Sequence, residues 1–549
     1  MKMPKLSLKL NTLPIVLALY YTLVVNLPMA REIVNIIQNL DAVKIVFVIS
    51  IPLFFMAAFT FIFHLLNWPK LAKPIFVFLL LTSSLVSYAM FNYGIYVDYG
   101  MIENTFETTS EEASNYISVY STIWLIMMGG LPAILLLFTR LEFSTWKRFL
   151  GLKALYMLVS ILIIAAIAGL FYKDYASIGR NNSHLKKMII PTEYLISTTK
   201  YINNTYIKQP MPYRQIGLDA KQVSPHNANG KPTLLVFVLG ETARVHNYQY
   251  YGYQRQTNAH TAPYKPIFFA NVESCGTATA VSVPCMFSNM NRANYDKETA
   301  YNQDNVIDIM TRAGIYAMWR EHDGGDKGAA HNIKKMTLLP DDADHLCNSQ
   351  ECYDTAMLEG FEQDTANLNQ DSILFYHLSG SHGPTYFKRY PEEHKQFTPD
   401  CPKADIENCS TEQVVNSYDN TILYTDYFIA QTIEKLKALE DKYNVALLYI
   451  SDHGESLGEN GIYLHGMPYS IAPKEQTHVP MILWTSTEFA QQKQLNTNCL
   501  IKAAKENSYS HDNLFDSLLG LMDVKTTEYR QHQDVFAQCR QPYPNTIER

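Results

Sequence analysis

Five long segments of the chain are mostly apolar and contain no Asp, Glu, Lys or Arg. They span residues 10–30, 45–69, 74–97, 113–139 and 154–172. Because about 20 apolar residues are enough for a helix to cross a bilayer, each segment predicts one transmembrane helix. Five helices of this length are hard to place in a soluble core. We therefore expect residues 1–173 to form a membrane domain of five helices.

Basic residues indicate how these helices are oriented. They precede the first segment, at Lys2, Lys5 and Lys9, and recur in the loops after the second and fourth segments. The loop at 92–118 has five acidic residues and neither Lys nor Arg. By the positive-inside rule the N-terminus is cytoplasmic and everything after residue 173 lies outside. The first segment could also be a signal peptide, but it lacks a small-x-small cleavage site, which favours an uncleaved anchor.

Shorter apolar runs in the rest of the chain predict strands. Four of them are Thr233–Leu239, Ser372–Tyr376, Val445–Ile450 and Val479–Trp484, with helical stretches between them. Runs that are apolar throughout are typical of strands buried on both faces. We therefore expect residues 231–549 to form an α/β domain with a mostly parallel central sheet. The polar, Tyr-rich stretch 174–230 predicts a linker with a helix at the membrane interface, although a solvated linker would fit the same composition.

Charge and cysteine content support this division. Residues 1–175 have a net charge of +3 and the rest of the chain −10, which argues against nucleic-acid binding, because that needs Lys and Arg to neutralise phosphates. An even number of cysteines, all in the segment predicted to be outside, indicates disulfides in an oxidising compartment. The absence of C-x-x-C argues against zinc–thiolate sites. Pairing neighbours along the chain predicts Cys275–Cys285, Cys347–Cys352, Cys401–Cys409 and, least securely, Cys499–Cys539.

Residues with metal-binding chemistry follow three of the predicted strands. Glu241 follows the first, His382 lies just after the second, and Asp452 and His453 follow the third. In open α/β sheets, ligands bind at the carboxyl ends of the strands. Carboxylates and imidazoles that meet there suit Zn²⁺ or Mn²⁺. Each residue alone would more often be a helix cap or a structural histidine, so the prediction depends on their coincidence.

A metal at this edge could activate a hydroxyl group as a nucleophile. Candidate hydroxyls lie in the segment Ser274–Ser282, where Gly276 and small residues indicate a turn that opens a helix. The N–H groups of a helix N-terminus favour phosphate or sulfate binding. These arguments leave Thr277, Thr279 and Ser282 as alternatives, and without the metal the segment would be read as an ordinary Ser/Thr-rich loop.

Four motifs in these segments resemble the membrane phosphoethanolamine transferases of the alkaline phosphatase superfamily. The resemblance is strongest to the lipid A-modifying group that includes the mobile colistin-resistance enzymes, and it extends over nearly the whole chain. It implies a sulfatase-like catalytic domain in the periplasm, anchored in the bacterial inner membrane. The motifs are LGETAR at 239–244, ESCGTATAVSVPCMFS at 273–288, SGSHGPTY at 379–386 and SDHGESLGENGIYLHG at 451–466.

The family pattern implies a role for each matching position. Thr279 would be the nucleophile and, with Glu241, Asp452 and His453, would hold a catalytic zinc. His382 and His465 would contact the substrate phosphate or a second zinc, and Lys327 would bind substrate. In the acidic loop, a helical face spaced by four residues would line the lipid-donor site. This helical face consists of Asn104, Thr108 and Glu112.

The mechanism implied by the resemblance has two steps. Thr279 takes phosphoethanolamine from phosphatidylethanolamine, and a lipid A phosphate then takes it from Thr279, which would weaken binding of polymyxins. Lys327 would neutralise phosphoryl charge, and His382 or His465 would protonate a leaving oxygen. Alternatives within the superfamily are sulfate-ester hydrolysis and transfer of phosphoethanolamine or phosphoglycerol to a core sugar or glucan. An alternative of another class is a membrane-anchored zinc-binding receptor without catalysis.

Overall fold

The computed structural model of the protein describes most of the 549 residues. The described residues are 6–38, 44–108, 113–114, 116–209, 211–223, 230–321, 325–338, 346–347 and 352–540. They form two compact units, which are considered separately below. The membrane unit comprises Met1–Ile102 and Ile117–Lys208, and the catalytic unit comprises Glu103–Tyr116 and Gln209–Arg549. The predicted domain boundaries at 173 and 230 remain a prediction.

The membrane unit is helical. Among the described residues, four helical segments are long and apolar enough to cross a membrane, and a bent pair adds a fifth span if it is counted as one. A short strand pair, Ser7–Lys9 with Arg140–Glu142, lies beside the helices. The α-helices that begin in this unit are Leu13–Tyr20, Leu27–Gln38, Ile45–Leu66, Ala72–Tyr93, Tyr99–Glu107, Val119–Leu125, Leu131–Phe138, Trp146–Asn181 and Thr192–Ile202.

The first predicted span is bent rather than straight. Leu13–Val25 and Leu27–Gln38 meet at an angle of 59°. Pro28 cannot donate a backbone hydrogen bond to the preceding turn, so the helix is interrupted here. The side chain of Asn26 stabilises the bend: its amide donates to the carbonyl oxygens of Tyr21 and Ile190 at 3.0 and 2.8 Å, and its oxygen accepts from the N–H of Ile190. The apolar window alone did not indicate this bend.

A seven-stranded sheet forms the centre of the catalytic unit. Its strands are β1 (Thr233–Gly240), β2 (Ile267–Phe268), β3 (Tyr316–Glu321), β4 (Lys334–Thr337), β5 (Ser372–His377), β6 (Asn444–Ser451) and β7 (Met481–Thr485). Their order across the sheet is β2-β7-β6-β1-β5-β3-β4. Strands β6, β1, β5, β3 and β4 run parallel to one another, β7 is antiparallel to β6, and β2 is antiparallel to β7. The predicted α/β domain with a mostly parallel sheet is confirmed.

Burial explains which strands the sequence revealed. Every residue of β1, β5 and β6 is buried, as expected for strands covered by helices on both faces. The fourth predicted run becomes the antiparallel β7, which begins directly after Pro480, a residue that cannot donate to a ladder. Strand β3 was not singled out, because its sequence YAMWRE ends in two charged residues and lacks a continuous apolar run.

Helices and short strand pairs surround this sheet. The pairs are Lys221–Gln222 with Val524–Lys525, Val272–Glu273 with Tyr509–Ser510, and Ser456–Leu457 with Tyr463–Leu464. Residues of both sheet and helices form the main hydrophobic core of this unit. The α-helices are Thr279–Phe287, Lys297–Tyr301, Val306–Arg312, Phe361–Thr365, Thr411–Lys437, Lys474–Thr477, Thr487–Gln492, Thr497–Glu506 and Leu514–Leu521.

All eight cysteines of the chain lie in disulfides in the catalytic unit. The pairs are Cys275–Cys285, Cys347–Cys352, Cys401–Cys409 and Cys499–Cys539. They are the four pairs that joining neighbouring cysteines predicts. Three of them close loops of ten residues or fewer, and the fourth links residues 40 positions apart.

We predict that the protein, denatured without reduction, contains almost no free thiols. The reason is that disulfides persist in an oxidising compartment, which is where the charge distribution predicts that this unit lies. Thiol titration with a chromogenic disulfide reagent measures this directly. The same sample after reduction is the control and should titrate all eight cysteines. Eight free thiols before reduction would contradict both the pairing and the compartment.

Candidate active site and metal centre

Two neighbouring parallel strands bring three metal-binding side chains together. Glu241 follows the end of β1, and Asp452 and His453 follow the end of β6, where Ser451 lies opposite Gly240. The N–H of Asp452 donates to the carbonyl oxygen of Gly240, which continues the ladder up to the site. One ligand atom from each of Glu241, Asp452 and His453 lies within 4.8 Å of the others. These three residues therefore lie at one edge of the sheet, where the strand-end argument predicts them.

The hydrogen bonds of His453 determine which ring nitrogen faces this cluster. Its Nδ1 lies 3.0 Å from the carbonyl oxygen of Gly454, which can only accept, so Nδ1 carries the proton. In the neutral ring Nε2 is then left as an acceptor. It lies 3.4 Å from Oε1 of Glu241 and 3.3 Å from Oδ2 of Asp452. The lone pair of Nε2 therefore lies beside the two carboxylates, where it can serve as the nitrogen ligand of a metal ion.

Thr279 presents its hydroxyl to the same three residues. It is the first residue of the helix Thr279–Phe287. Its Oγ1 lies 3.2 and 3.1 Å from the two carboxylate oxygens of Glu241 and 3.3 Å from Nε2 of His453. This position at the start of a helix favours an anionic group such as phosphate nearby.

The other two candidate hydroxyls are engaged elsewhere. Thr277 donates to the carbonyl oxygen of Met467 at 2.6 Å. Ser282 donates to the backbone carbonyl oxygen of Asp452. Both hydroxyls therefore hold backbone segments together. Of the three alternatives that the sequence left open, Thr279 is the one whose hydroxyl contacts metal-binding side-chain atoms among the described residues.

The electrostatics of the cluster fit a divalent cation. Burial favours the protonated form of Glu241, but the histidines His377, His453 and His382 outweigh it and lower its pKa from 4.5 to about 2. For Asp452, burial and the nearby charge of Glu241 raise the pKa above its usual value. Oδ2 of Asp452 is buried and has no hydrogen-bond partner among the described residues. Two buried carboxylates this close are costly unless a cation compensates them.

Two further histidines extend this cluster. The ring of His465 lies 4.5 Å from that of His453 and 5.2 Å from that of His382, measured between centroids. Nδ1 of His465 is 2.8 Å from the buried carboxylate of Glu455, which also accepts from the hydroxyl of Tyr386 at 2.7 Å. Burial alone would lower the pKa of His465, but Glu455 outweighs it and raises that pKa. Glu455 therefore orients His465 and leaves its Nε2 for the site.

Glycines allow the backbone to approach the site closely. Gly380 has φ of +51°, and a Cβ atom there would lie 2.7 Å from the carbonyl oxygen of Glu241. A Cβ atom on Gly383 would lie 2.7 Å from the hydroxyl oxygen of Tyr386. The SGSHGPTY motif therefore has glycine at two positions where a Cβ atom would crowd Glu241 or Tyr386.

Three other predicted substrate-binding residues also belong to the catalytic unit, namely Asn104, Thr108 and Lys327. Nζ of Lys327 is 3.9 Å from Oε2 of Glu107, which belongs to the helix Tyr99–Glu107. On the same stretch, the hydroxyl of Thr108 donates to the carbonyl oxygen of Asn104 at 2.7 Å, as expected for residues spaced by four. Glu112 lies outside the described residues. The roles of Lys327, Asn104 and Thr108 remain predictions.

Two buried histidines near the site were missed by the sequence reasoning. His377, the last residue of β5, lies 3.7 Å through its Nε2 from Oε2 of Glu241. The strand-end argument would have found it if the strand had been extended by one residue. His511 contacts the backbone of the segments that carry Thr279 and Asp452. No sequence signal indicated it, because its partners lie 236 and 60 residues away.

Two family models match the chain. One, described as Sulfatase, matches residues 233–524, and the other, described as Phosphoethanolamine transferase EptA/EptB, matches residues 55–206. The first match agrees with the mostly parallel sheet and with the cluster at its carboxyl edge. The catalytic unit is therefore a sulfatase-like domain.

Relatives resemble the chain over nearly its full length. Phosphoethanolamine transferase EptA of Escherichia coli (strain K12) is 38% identical, over 97% of this chain and 98% of that protein. Phosphatidylethanolamine transferase Mcr-1 of Escherichia coli is 35% identical, over 92% and 94%. The solved structure of the integral membrane protein lipooligosaccharide phosphoethanolamine transferase A (EptA) from Neisseria meningitidis has 36% identity and a TM-score of 0.94, over 98% and 100%. The chain belongs to the EptA/EptB phosphoethanolamine transferase family.

Proposed function

We propose that this protein transfers phosphoethanolamine from phosphatidylethanolamine to a phosphate group of lipid A, through a covalent intermediate on Thr279. The observation that carries the proposal is the position of the Thr279 hydroxyl. It lies at a helix N-terminus and within 3.3 Å of both Glu241 and His453. Relatives named for phosphoethanolamine transfer match the chain over nearly its whole length, which supports the class of group transferred.

Glu241, Thr279, Asp452 and His453 are proposed to hold a zinc ion. The three ligand atoms within 4.8 Å of one another and the acceptor nitrogen of His453 fit its preference for oxygen and nitrogen ligands. When bound, zinc would lower the pKa of the Thr279 hydroxyl and offset negative charge on a phosphoryl group. The pair His382 and His465 is the proposed location of a second ion.

The first step forms a bond between Oγ1 of Thr279 and the phosphorus of phosphatidylethanolamine. The bond from phosphorus to the diacylglycerol oxygen breaks, the threonine loses its proton, and the departing oxygen gains one. In the second step an oxygen of the lipid A phosphate attacks the same phosphorus. The Thr279 oxygen then leaves and regains a proton, so that the enzyme returns to its starting state.

His465 and Lys327 are proposed to assist these steps. Because Nδ1 of His465 is held by Glu455, its Nε2 is available to give a proton to a leaving oxygen. Lys327 would pair with the phosphate of the donor lipid and exchange its contact with Glu107 for it. Asn104, Thr108 and Glu112 are proposed to bind the donor headgroup, with the Glu112 carboxylate facing its ammonium group.

The proposed location follows from the distribution of charges. Basic residues before the first span and in alternate loops support a cytoplasmic N-terminus, and with five spans the catalytic unit would lie in the periplasm. The four disulfides fit this oxidising compartment. We propose a membrane domain at 1–173 in the bacterial inner membrane, a linker with an interfacial helix at 174–230 and a catalytic domain at 231–549. Both substrates would then be membrane lipids brought close to the site.

Lipid mass spectrometry tests both the group that is transferred and the acceptor. We expect that cells expressing the protein gain lipid A heavier by one phosphoethanolamine group. The added ammonium lowers the negative charge of lipid A, so we also expect such cells to survive higher polymyxin concentrations. Cells with an empty vector are the control. A gain found only on core sugar or glucan would exclude lipid A as acceptor, and a phosphoglycerol gain would exclude phosphoethanolamine as the group transferred.

A further inference from the structure

His511 is a buried residue that the proposed chemistry does not use. Only 1% of its surface is exposed, and it begins the short turn His511–Asn513 directly after the strand Tyr509–Ser510. Its ring nitrogens contact two segments that carry active-site residues. Nδ1 lies 3.1 Å from the N–H nitrogen of Cys275, and Nε2 lies 3.0 Å from the carbonyl oxygen of Ser451.

These two contacts determine the protonation of the ring. The backbone N–H of Cys275 can only donate, so Nδ1 must be an acceptor without a proton. The carbonyl oxygen of Ser451 can only accept, so Nε2 must carry the proton. A neutral imidazole of this one tautomer satisfies both backbone groups. Its burial agrees, because burial lowers the pKa of His511 to about 4.

The two backbone groups belong to the two different segments that carry the proposed nucleophile and metal ligands. Cys275 precedes Thr279 in the turn that opens the helix Thr279–Phe287. Ser451 is the last residue of β6 and directly precedes Asp452 and His453. The Cys275–Cys285 disulfide joins the turn to its own helix only, so it does not set the distance between Thr279 and β6.

We propose that His511 is a positioning residue that sets this distance, by joining the turn before Thr279 to the end of β6 through one imidazole. Ser282 supports it, since its Oγ lies 3.3 Å from Nδ1 of His511 and donates to the carbonyl oxygen of Asp452. The proposal rests on the proposed function, in which Thr279 must stay close to Glu241 and His453. His511 should therefore affect the rate of the chemical step and not the binding of the lipid.

Three substitutions test the two contacts separately. His511→Asn keeps an acceptor near the position of Nδ1, His511→Gln keeps a donor near the position of Nε2, and His511→Phe keeps neither. We expect kcat for phosphoethanolamine transfer to fall about 100-fold in His511→Phe, with KM for phosphatidylethanolamine changed by less than about twofold. His511→Asn and His511→Gln should have intermediate kcat values, because each restores one of the two contacts.

A destabilising substitution at the other end of the same strand is the matched control. Val445 is fully buried near the start of β6, so Val445→Ala should lower the melting temperature but leave kcat unchanged, with all assays performed well below it. If His511→Phe does not fold, the Asn and Gln variants carry the test. Wild-type kcat in all folded His511 variants would overturn the proposal, and so would an equal loss in Val445→Ala. Absence of transfer by the wild type would instead refute the proposed function.

Discussion

Replacement of Thr279 by alanine is expected to lower the rate of phosphoethanolamine transfer by about 10⁴-fold or more, because it removes the hydroxyl that we propose forms the covalent intermediate. The hydroxyl lies 3.1 to 3.3 Å from Glu241 and His453, whereas the neighbouring hydroxyls are engaged with backbone carbonyls. The measurement is the amount of modified lipid A in cells that express each variant at equal level. Mass spectrometry of the isolated wild-type protein should show one phosphoethanolamine group on the peptide that contains Thr279.

Two further variants separate chemistry from folding. Thr277→Val removes the hydrogen bond to Met467 and should cost about 1 kcal/mol of stability while transfer continues. Thr279→Ser keeps a hydroxyl and should retain measurable activity. Transfer at the wild-type level by Thr279→Ala would exclude Thr279 as the nucleophile. A receptor without catalysis predicts no modified lipid A from any of these proteins, including the wild type.

The site was predictable from sequence wherever chemistry followed a strand of obvious burial. The runs that predict β1 and β6 are apolar, so the carboxyl ends of these strands could be located to within one residue, and Glu241, Asp452 and His453 follow directly. The choice of Thr279 over Thr277 and Ser282 needed either the family resemblance or the structure. The reason is physical: a hydroxyl in a Ser/Thr-rich turn is indistinguishable from its neighbours until their hydrogen-bond partners are known.

Other features could not have been found from sequence patterns. His511 and Glu455 act through partners distant in the sequence, and their identity as buried polar residues gives no periodic signal. The bend at Asn26 lies inside an apolar window, where hydropathy averages over the local geometry. Strand β3 ends in Arg320 and Glu321, whose charges hide its burial. In each case a specific tertiary contact outweighs the local pattern.

Removal of bound metal is expected to inactivate the enzyme by more than about 100-fold, and added Zn²⁺ should restore it. The buried carboxylates of Glu241 and Asp452 lie close together, and a divalent cation would offset their mutual repulsion, so the protein should also lose stability when the ion is removed. Activity after dialysis against a chelator, elemental analysis of the same sample and its melting temperature measure these effects. All three should recover together with Zn²⁺.

A pair of matched variants shows whether the carboxylate cluster is responsible. Glu241→Gln keeps the shape of the side chain but removes its charge, so we expect it to lose both bound zinc and transfer. Glu362→Gln removes a carboxylate that pairs with Lys435 at the surface and should keep both, because an exposed ion pair contributes little. Full activity after verified metal removal, or normal zinc content in Glu241→Gln, would contradict the metal centre. If Glu241→Gln lost its zinc but kept transfer activity, the Thr279 hydroxyl would not need the ion for activation.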